Sequence, residues 1–171
     1  MDEQLSITRT RGKNACYVLR SQTTVESNLS DTFDFFANAE NLNLITPAWL
    51  KFTIVSDTPI KMAAGTQIDY RLKIHGFPVK WRSEISLWEP PYRFVDTQIK
   101  GPYLMWSHMH TLDISSNGHT IVNDYVKYKV PFGMLTNRLF VARDLRTIFR
   151  YRNDATRKAL RFEPRSNSRV R

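Results

Sequence analysis

The sequence predicts an α+β fold, with a curved antiparallel sheet of about seven strands, two short helices after the first strand, and one long C-terminal helix. Three observations carry that expectation. Alternating apolar and polar residues recur in successive segments from Lys51 to Pro131, separated by turn residues, and side chains along a strand point alternately to the two faces of a sheet. Apolar residues at helical spacing fall in short stretches after Ser30 and in one long stretch after Gly133. That order gathers the helices on one side of an antiparallel sheet, with the last helix the element large enough to cover its concave face.

Residues 1–14 are polar and are expected to be loose. The first strand is expected over residues 15–27, with Tyr17, Leu19, Thr23 and Val25 turned inward. Ser30 is the expected N-cap of a helix burying Phe33 and Phe36 or Phe35, since Asp31 and Asp34 would then lie in its first turn, where the helix dipole favours acids. A second short helix over 39–44 should stop before Thr46-Pro47, because the residue preceding a proline is pushed out of the helical region. Strands are expected over 51–56, 66–75, 79–87 and 94–99, with turns at Gly76-Phe77-Pro78, Glu89-Pro90-Pro91-Tyr92 and Gly101-Pro102. From Gly133 to about Leu160, Leu135, Leu139, Ala142, Leu145, Ile148, Phe149 and Ala155 mark the buried stripe of the long helix. Glu163-Pro164 would end it, leaving residues 162–171 as a basic tail. No repeat or linker interrupts residues 15–161, which read as a single domain.

The central hairpin is the most informative stretch. Its first strand places Leu104, Trp106, His108, His110, Leu112 and Ile114 on one face, and the second places Val122, Asp124, Val126, Tyr128 and Val130. Between them Ser116-Asn117-Gly118 suits a three-residue loop, in which Gly118 can take the positive φ required. If Ser115 pairs with His119, Leu112 faces Val122, His110 faces Asp124 and Trp106 faces Tyr128. A two-residue Asn117-Gly118 loop would set inward residues against outward ones, which the pleat disfavours. The same parity brings Phe94, Asp96 and Gln98 to the His110 side. An imidazole and a carboxylate are thus expected side by side on a buried face.

Composition narrows the class further. No run approaches the roughly 20 apolar residues of a membrane span. The opening MDEQLSITRTRGKN lacks the apolar core of a signal peptide, and the single Cys16 permits no internal disulfide; both predict a cytoplasmic location. The net charge is +9, and from Gly133 onward eleven Lys and Arg stand against three acids. Such a basic helix and tail either solvates an outer face or makes peripheral contact with an anionic membrane or another protein. Nucleic acid is not expected, because there is no recognised motif and no aromatic platform among the charges.

Thr46-Pro47 with Leu50-Lys51-Phe52, Gly65-Thr66, Trp81, Pro90-Pro91 and Phe94-Val95-Asp96 with Gln98 form one set of motifs. Gly101-Pro102-Tyr103, Trp106-x-His108-x-His110, Asp124-x-Val126-x-Tyr128, Pro131 with Gly133, and Phe149-x-Tyr151-Arg152 continue it. Over residues 15–161 these resemble the START-related, Bet v 1-like superfamily (SRPBCC proteins), within it a bacterial ligand-binding or cyclase/dehydrase-like subgroup. The resemblance implies a helix-grip fold with a lipophilic cavity between sheet and C-terminal helix. It also implies relatives fused to a nucleotide-sugar epimerase-like domain, although this chain has no Gly-rich dinucleotide fingerprint. The tail after Arg161 lies outside the resemblance.

Three functional readings follow. The first is binding, transport or presentation of a hydrophobic small molecule or lipid. Ile68, Tyr70, Leu72, Trp81, Trp106, Val126, Tyr128, Leu139 and Phe149 would line the cavity, and Asp96, Gln98, His108, His110, Asp124 and Arg152 would supply its polar groups. Trp49 and the loop over 59–65 would stand at its mouth. The bland alternative is that these residues fill a solid core. The second reading is a cyclase, dehydratase or isomerase, with His110 as general base, Asp124 fixing its tautomer, and His108 or Tyr128 polarising a substrate oxygen. Its bland counterpart is a buried histidine satisfied by an aspartate. Arg152 would reach Asp96 or Asp124 as a paired charge. The third is a metal site, formally two histidines and Asp124; the apolar surroundings show no outer partners, so no metal or cofactor is expected.

Overall fold

The computed structural model describes residues 4–161, so the tail over 162–171, including Glu163-Pro164, lies outside the described residues. Eight strands form one sheet: β1 (Gln4–Arg9), β2 (Tyr17–Val25), β3 (Thr53–Ile54), β4 (Gln67–Ile74), β5 (Phe77–Glu89), β6 (Arg93–Lys100), β7 (Met105–Ile114) and β8 (Thr120–Lys129). Their order is β1-β2-β8-β7-β6-β5-β4-β3, and each neighbouring pair is antiparallel. Helix α1 (Leu29–Ala37) and two short 3₁₀ turns, Ala39–Asn43 and Ala48–Leu50, connect β2 to β3. After β8 come α2 (Gly133–Thr136), a π-turn over Asn137–Val141, and α3 (Ala142–Ala159).

The turn at 116–118 sets the register of the sheet's centre. Ser115 N–H donates to His119 O at 2.8 Å, and Gly118 has φ +80°, a conformation open to glycine without a Cβ clash. Leu112 therefore faces Val122, His110 faces Asp124 and Trp106 faces Tyr128. On the other side of β7, Phe94 pairs with His110 and Asp96 with His108. The inward face of these strands carries two apolar clusters. Phe33, Ile85, Phe94, Leu112 and Val122 belong to one, and Leu19, Trp106, Val126, Tyr128, Leu145 and Phe149 to the other. His108, His110 and Asp124 occupy the positions between Trp106 and Leu112 and between Val122 and Val126, so they form a polar belt between the two clusters.

Helix α3 closes that face. Ala142, Leu145, Phe149, Arg152, Asn153 and Thr156 are its buried residues. Polar contacts tie it to β2: Asn153 Nδ2 donates to Ser21 Oγ at 2.9 Å and Arg157 Nη1 to Thr23 Oγ1 at 2.8 Å.

Several expectations need correction. Residues 4–9 are not loose but form β1, because Leu5 and Ile7 alternate inward and pack beside Tyr17 and Leu19; two apolar residues in a polar stretch give a weak pattern. The first helix is capped by Asn28, whose Oδ1 accepts from Asp31 N–H at 2.9 Å, rather than by Ser30. The turn before β5 is His75-Gly76, with φ +50° and +85° at its two residues, so Phe77 and Pro78 belong to the strand. Leu104 and Ile114, at the ends of β7's inward face, are exposed.

The largest departure is in the C-terminal helix. Ala142 N–H reaches back to Asn137 O, and this five-residue step inserts one extra residue into the turn. Residues before it are rotated off the buried stripe that continues in α3. Asn137 turns inward, where its Oδ1 accepts the Tyr128 hydroxyl at 2.9 Å, while Leu135 and Leu139 are 67% and 53% exposed. Phe132, Met134 and Phe140 are exposed beside them. Leu139→Ser should therefore change unfolding free energy by less than about 0.5 kcal/mol, whereas Leu145→Ala should cost about 2–5 kcal/mol. Urea unfolding of the two variants checks this, and similar costs would mean one uninterrupted helix.

Candidate functional site

The polar belt is built on three elements. Adjacent strands β7 and β8 bring His110 and Asp124 opposite each other, while His108, two residues along β7, reaches the same carboxylate diagonally, as near neighbours on one face can. Asp124 Oδ1 lies 2.8 Å from His108 Nε2 and 3.1 Å from His110 Nδ1. From α3, Arg152 brings Nε to 3.6 Å from the same oxygen. Phe94 stacks on the His110 ring at 4.2 Å between centroids, and the Arg152 guanidinium lies over Phe36 at 5.3 Å. On β6, Asp96 Oδ2 sits 3.6 Å from His108 Nδ1 and 3.5 Å from His110 Nε2. Ser83 Oγ donates to Asp96 Oδ1 at 3.4 Å and accepts from Trp81 Nε1 at 3.0 Å.

Electrostatics follow from this packing. Burial pushes the Asp124 carboxyl up, but the Arg152 charge and the hydrogen bonds from His108 and His110 outweigh it and hold the group well below the usual carboxylate range. For Asp96, too, burial is outweighed, here by His110, His108 and Arg152, and the net direction is down. Burial, with His110 alongside, pushes His108 down to about 4 against the opposing pull of Asp124 and Asp96. Burial and the Asp96 charge push the Tyr70 phenol up, keeping it a hydrogen-bond donor.

Between sheet and helix lie two adjoining pockets, here called lobes. One, about 190 Å³, is bounded by Phe36, Ala39, Leu42, Phe52, Met62, Ile68, Tyr70, Leu72, Trp81, Ser83, Ile85, Phe94, Asp96, Trp106, His108, His110 and Arg152. The other, about 340 Å³, runs toward α2 past Trp49, Leu72, Trp81, Tyr103, Trp106, His108, Val141, Leu145, Phe149 and Arg152. Leu72, Trp81, Trp106, His108 and Arg152 border both.

Of the residues expected at the site, Ile68, Tyr70, Leu72, Trp81, Asp96, Trp106, His108, His110, Phe149 and Arg152 line the cavity. Trp49 and, from the 59–65 loop, Met62 also border it. Asp124 stands behind the two imidazoles. Four expected lining residues are elsewhere. Val126 and Tyr128 are both 0% exposed within the core, so the Tyr128 hydroxyl is committed to Asn137 rather than to a substrate. Gln98 Nε2 donates to the Tyr103 carbonyl at 2.8 Å and closes the turn before β7. Leu139 faces outward because of the π-turn. Sequence periodicity singled out no role for Ser83; on β5 it faces the pocket and meets Asp96 one strand over. His110 meets Asp124 with Nδ1 and turns Nε2 toward Asp96.

No family model and no curated protein matches the sequence. Solved structures share its fold. Ginseng major latex-like protein 151 from Panax ginseng is 12% identical, with a TM-score of 0.63 covering 84% of this chain and 96% of that one. CalU16 from Micromonospora echinospora is 8% identical, with a TM-score of 0.57 covering 91% and 87%. A nucleoside-diphosphate sugar epimerase from Corynebacterium glutamicum is 16% identical, with a TM-score of 0.59 covering 82% of this chain and 28% of the epimerase. At these identities the likeness shows the fold, the helix-grip arrangement of SRPBCC-type and Bet v 1-like proteins.

The belt makes stability depend on pH in a defined window. His108 has a folded value lowered to about 4 from 6.5, so between those values the unfolded chain binds a proton that the native chain refuses. Its contribution is whole above pH 6.5 and is lost as pH falls toward 4, at up to about 1.4 kcal/mol per pH unit. The depressed Asp96 and Asp124 groups contribute above the usual carboxylate range and lose their contribution below it. Urea midpoints measured from pH 8 to pH 4 should begin to fall near 6.5, and His108→Gln should delay the fall to the carboxylate range. A wild-type midpoint flat to pH 4.5 would contradict the assignment.

Proposed function

We propose that this chain binds a hydrophobic small molecule or lipid between its sheet and α3, with the ligand's polar end at Asp96, His108, His110 and Arg152. The observation that carries this reading is the pair of adjoining pockets, apolar on most of their walls, with the polar side chains of His108 and Arg152 bordering both. Binding sites for small molecules have that character, since apolar walls supply the driving force and a few fixed polar groups set orientation. The larger lobe, about 340 Å³, falls within the usual size of such pockets. The shared border at Leu72, Trp81 and Trp106 would place two indoles against a ligand spanning both lobes. The fold shared with Bet v 1-like proteins supports the same reading.

Native mass spectrometry of gently purified protein, followed by organic extraction, should reveal a co-purified lipophilic compound. Titration of the extracted chain with that compound should change Trp81 and Trp106 fluorescence. Leu72→Trp, which fills space common to both lobes, should weaken binding by more than about tenfold, or 1.4 kcal/mol, while leaving the unfolding midpoint near that of the wild type. A clean apo mass together with unchanged fluorescence across a lipophilic library would overturn the proposal.

A further inference from the structure

Within the polar belt a second arrangement faces away from Asp124. Asp124 Oδ1 engages His108 Nε2 at 2.8 Å and His110 Nδ1 at 3.1 Å. A neutral imidazole carries one N–H and one lone pair, so rings that donate to Asp124 present lone pairs on His108 Nδ1 and His110 Nε2. Those two atoms lie 3.6 and 3.5 Å from one oxygen, Asp96 Oδ2, and the three potential ligand atoms all lie within 4.8 Å of one another. In that arrangement two lone pairs and a carboxylate oxygen converge in a buried place beside the Arg152 guanidinium, which approaches His110 Nδ1 to 3.5 Å, and a metal ion among them would turn the convergence into coordination.

We propose that Asp96, His108 and His110 bind one divalent transition-metal ion, zinc being the type, with a remaining coordination position open to the cavity. The spacing suits it. An ion about 2.1 Å from each atom would see the Asp96 oxygen and each imidazole nitrogen at angles of about 113° and 118°, close to tetrahedral, from the 3.5 and 3.6 Å separations. Two imidazoles and one carboxylate form a donor set for zinc or ferrous iron, whereas calcium and magnesium prefer oxygen throughout.

Each of the three residues also has an outer partner, the feature that distinguishes a prepared site from a chance cluster. Asp124 holds both histidines through their other ring nitrogens, and Arg152 stands by Asp124. Ser83, itself held by Trp81, donates to the second oxygen of Asp96. The sequence suggested a site built with Asp124 as ligand; the structure gives that carboxylate the supporting position and puts Asp96 at the front. Asp96, His108 and His110 line the smaller lobe, so the open position would meet whatever oxygen a bound compound presents, polarising a carbonyl or hydroxyl as a Lewis acid. The site does not depend on the hydrophobic-ligand reading and is tested without any organic ligand.

Chelator-treated, delipidated chain titrated with Zn²⁺ by calorimetry should bind one ion per chain. Co²⁺ should give the visible spectrum of a low-coordinate site without a thiolate band, since Cys16 takes no part. Histidine ring signals of the wild-type chain followed by NMR should shift for His108 and His110 at one equivalent of Zn²⁺, leaving His75 and His119 unmoved, a readout that needs no variant to fold. Asp96→Asn should abolish the cobalt spectrum, and Asp124→Asn should weaken zinc binding by about 10–100-fold. His75→Ala and His119→Ala should bind as the wild type does. Absence of saturable binding, or binding that moves only His75 and His119 and survives Asp96→Asn, would overturn the proposal.

Discussion

The buried carboxylate of Asp124 is the constraint around which the rest is arranged. Its side chain is 2% exposed, and an isolated ionised carboxylate in such a place would cost far more than the stability of a domain allows. It persists because three groups converge on it, two imidazoles from the neighbouring strand and a guanidinium from the helix that covers the sheet. The Arg152 contact crosses the two layers, so α3 is bound to one azimuth and one height over the sheet as well as to its apolar stripe.

The same requirement explains why the core is divided. A polar belt between two hydrophobic clusters prevents side chains on the two halves from collapsing onto each other, because the imidazoles and carboxylates need their partners more than close packing. The two lobes flank this belt, and the residues common to both, Leu72, Trp81, Trp106, His108 and Arg152, form its approaches. Hydrogen bonds to Asp124 also determine which imidazole nitrogens face Asp96. The supporting carboxylate thereby decides what the front of the site can do.

Much of this was legible in the sequence because strand geometry has period two. One loop, Ser116-Asn117-Gly118, and the parity of the residues around it suffice to pair His110 with Asp124 and to bring Asp96 to the same face. Helical spacing placed Phe149 and Arg152 on the covering helix. What escaped depends on distances that periodicity does not encode. The diagonal reach of His108 to Asp124, and the choice of Asp96 rather than Asp124 as the group facing the cavity, follow from sheet curvature and side-chain rotamers. The outward turn of Leu139 follows from one inserted residue in the π-turn, which an apolar repeat at steps of three and four passes over. In β1, Leu5 and Ile7 are too few to mark a strand by themselves, and only the exposed edge of β2 makes them one.

If both rings donate to Asp124, one carboxylate holds two imidazoles in opposite tautomers, with the proton on Nε2 of His108 and on Nδ1 of His110. Long-range ¹H–¹⁵N correlation NMR of the histidine rings at neutral pH reads this directly. His108 should show the nitrogen shifts of an Nε2–H ring and His110 those of an Nδ1–H ring, both reverting toward solvent-like averages in Asp124→Asn. Finding both rings in the Nε2–H form, or neither affected by the loss of the Asp124 charge, would contradict it.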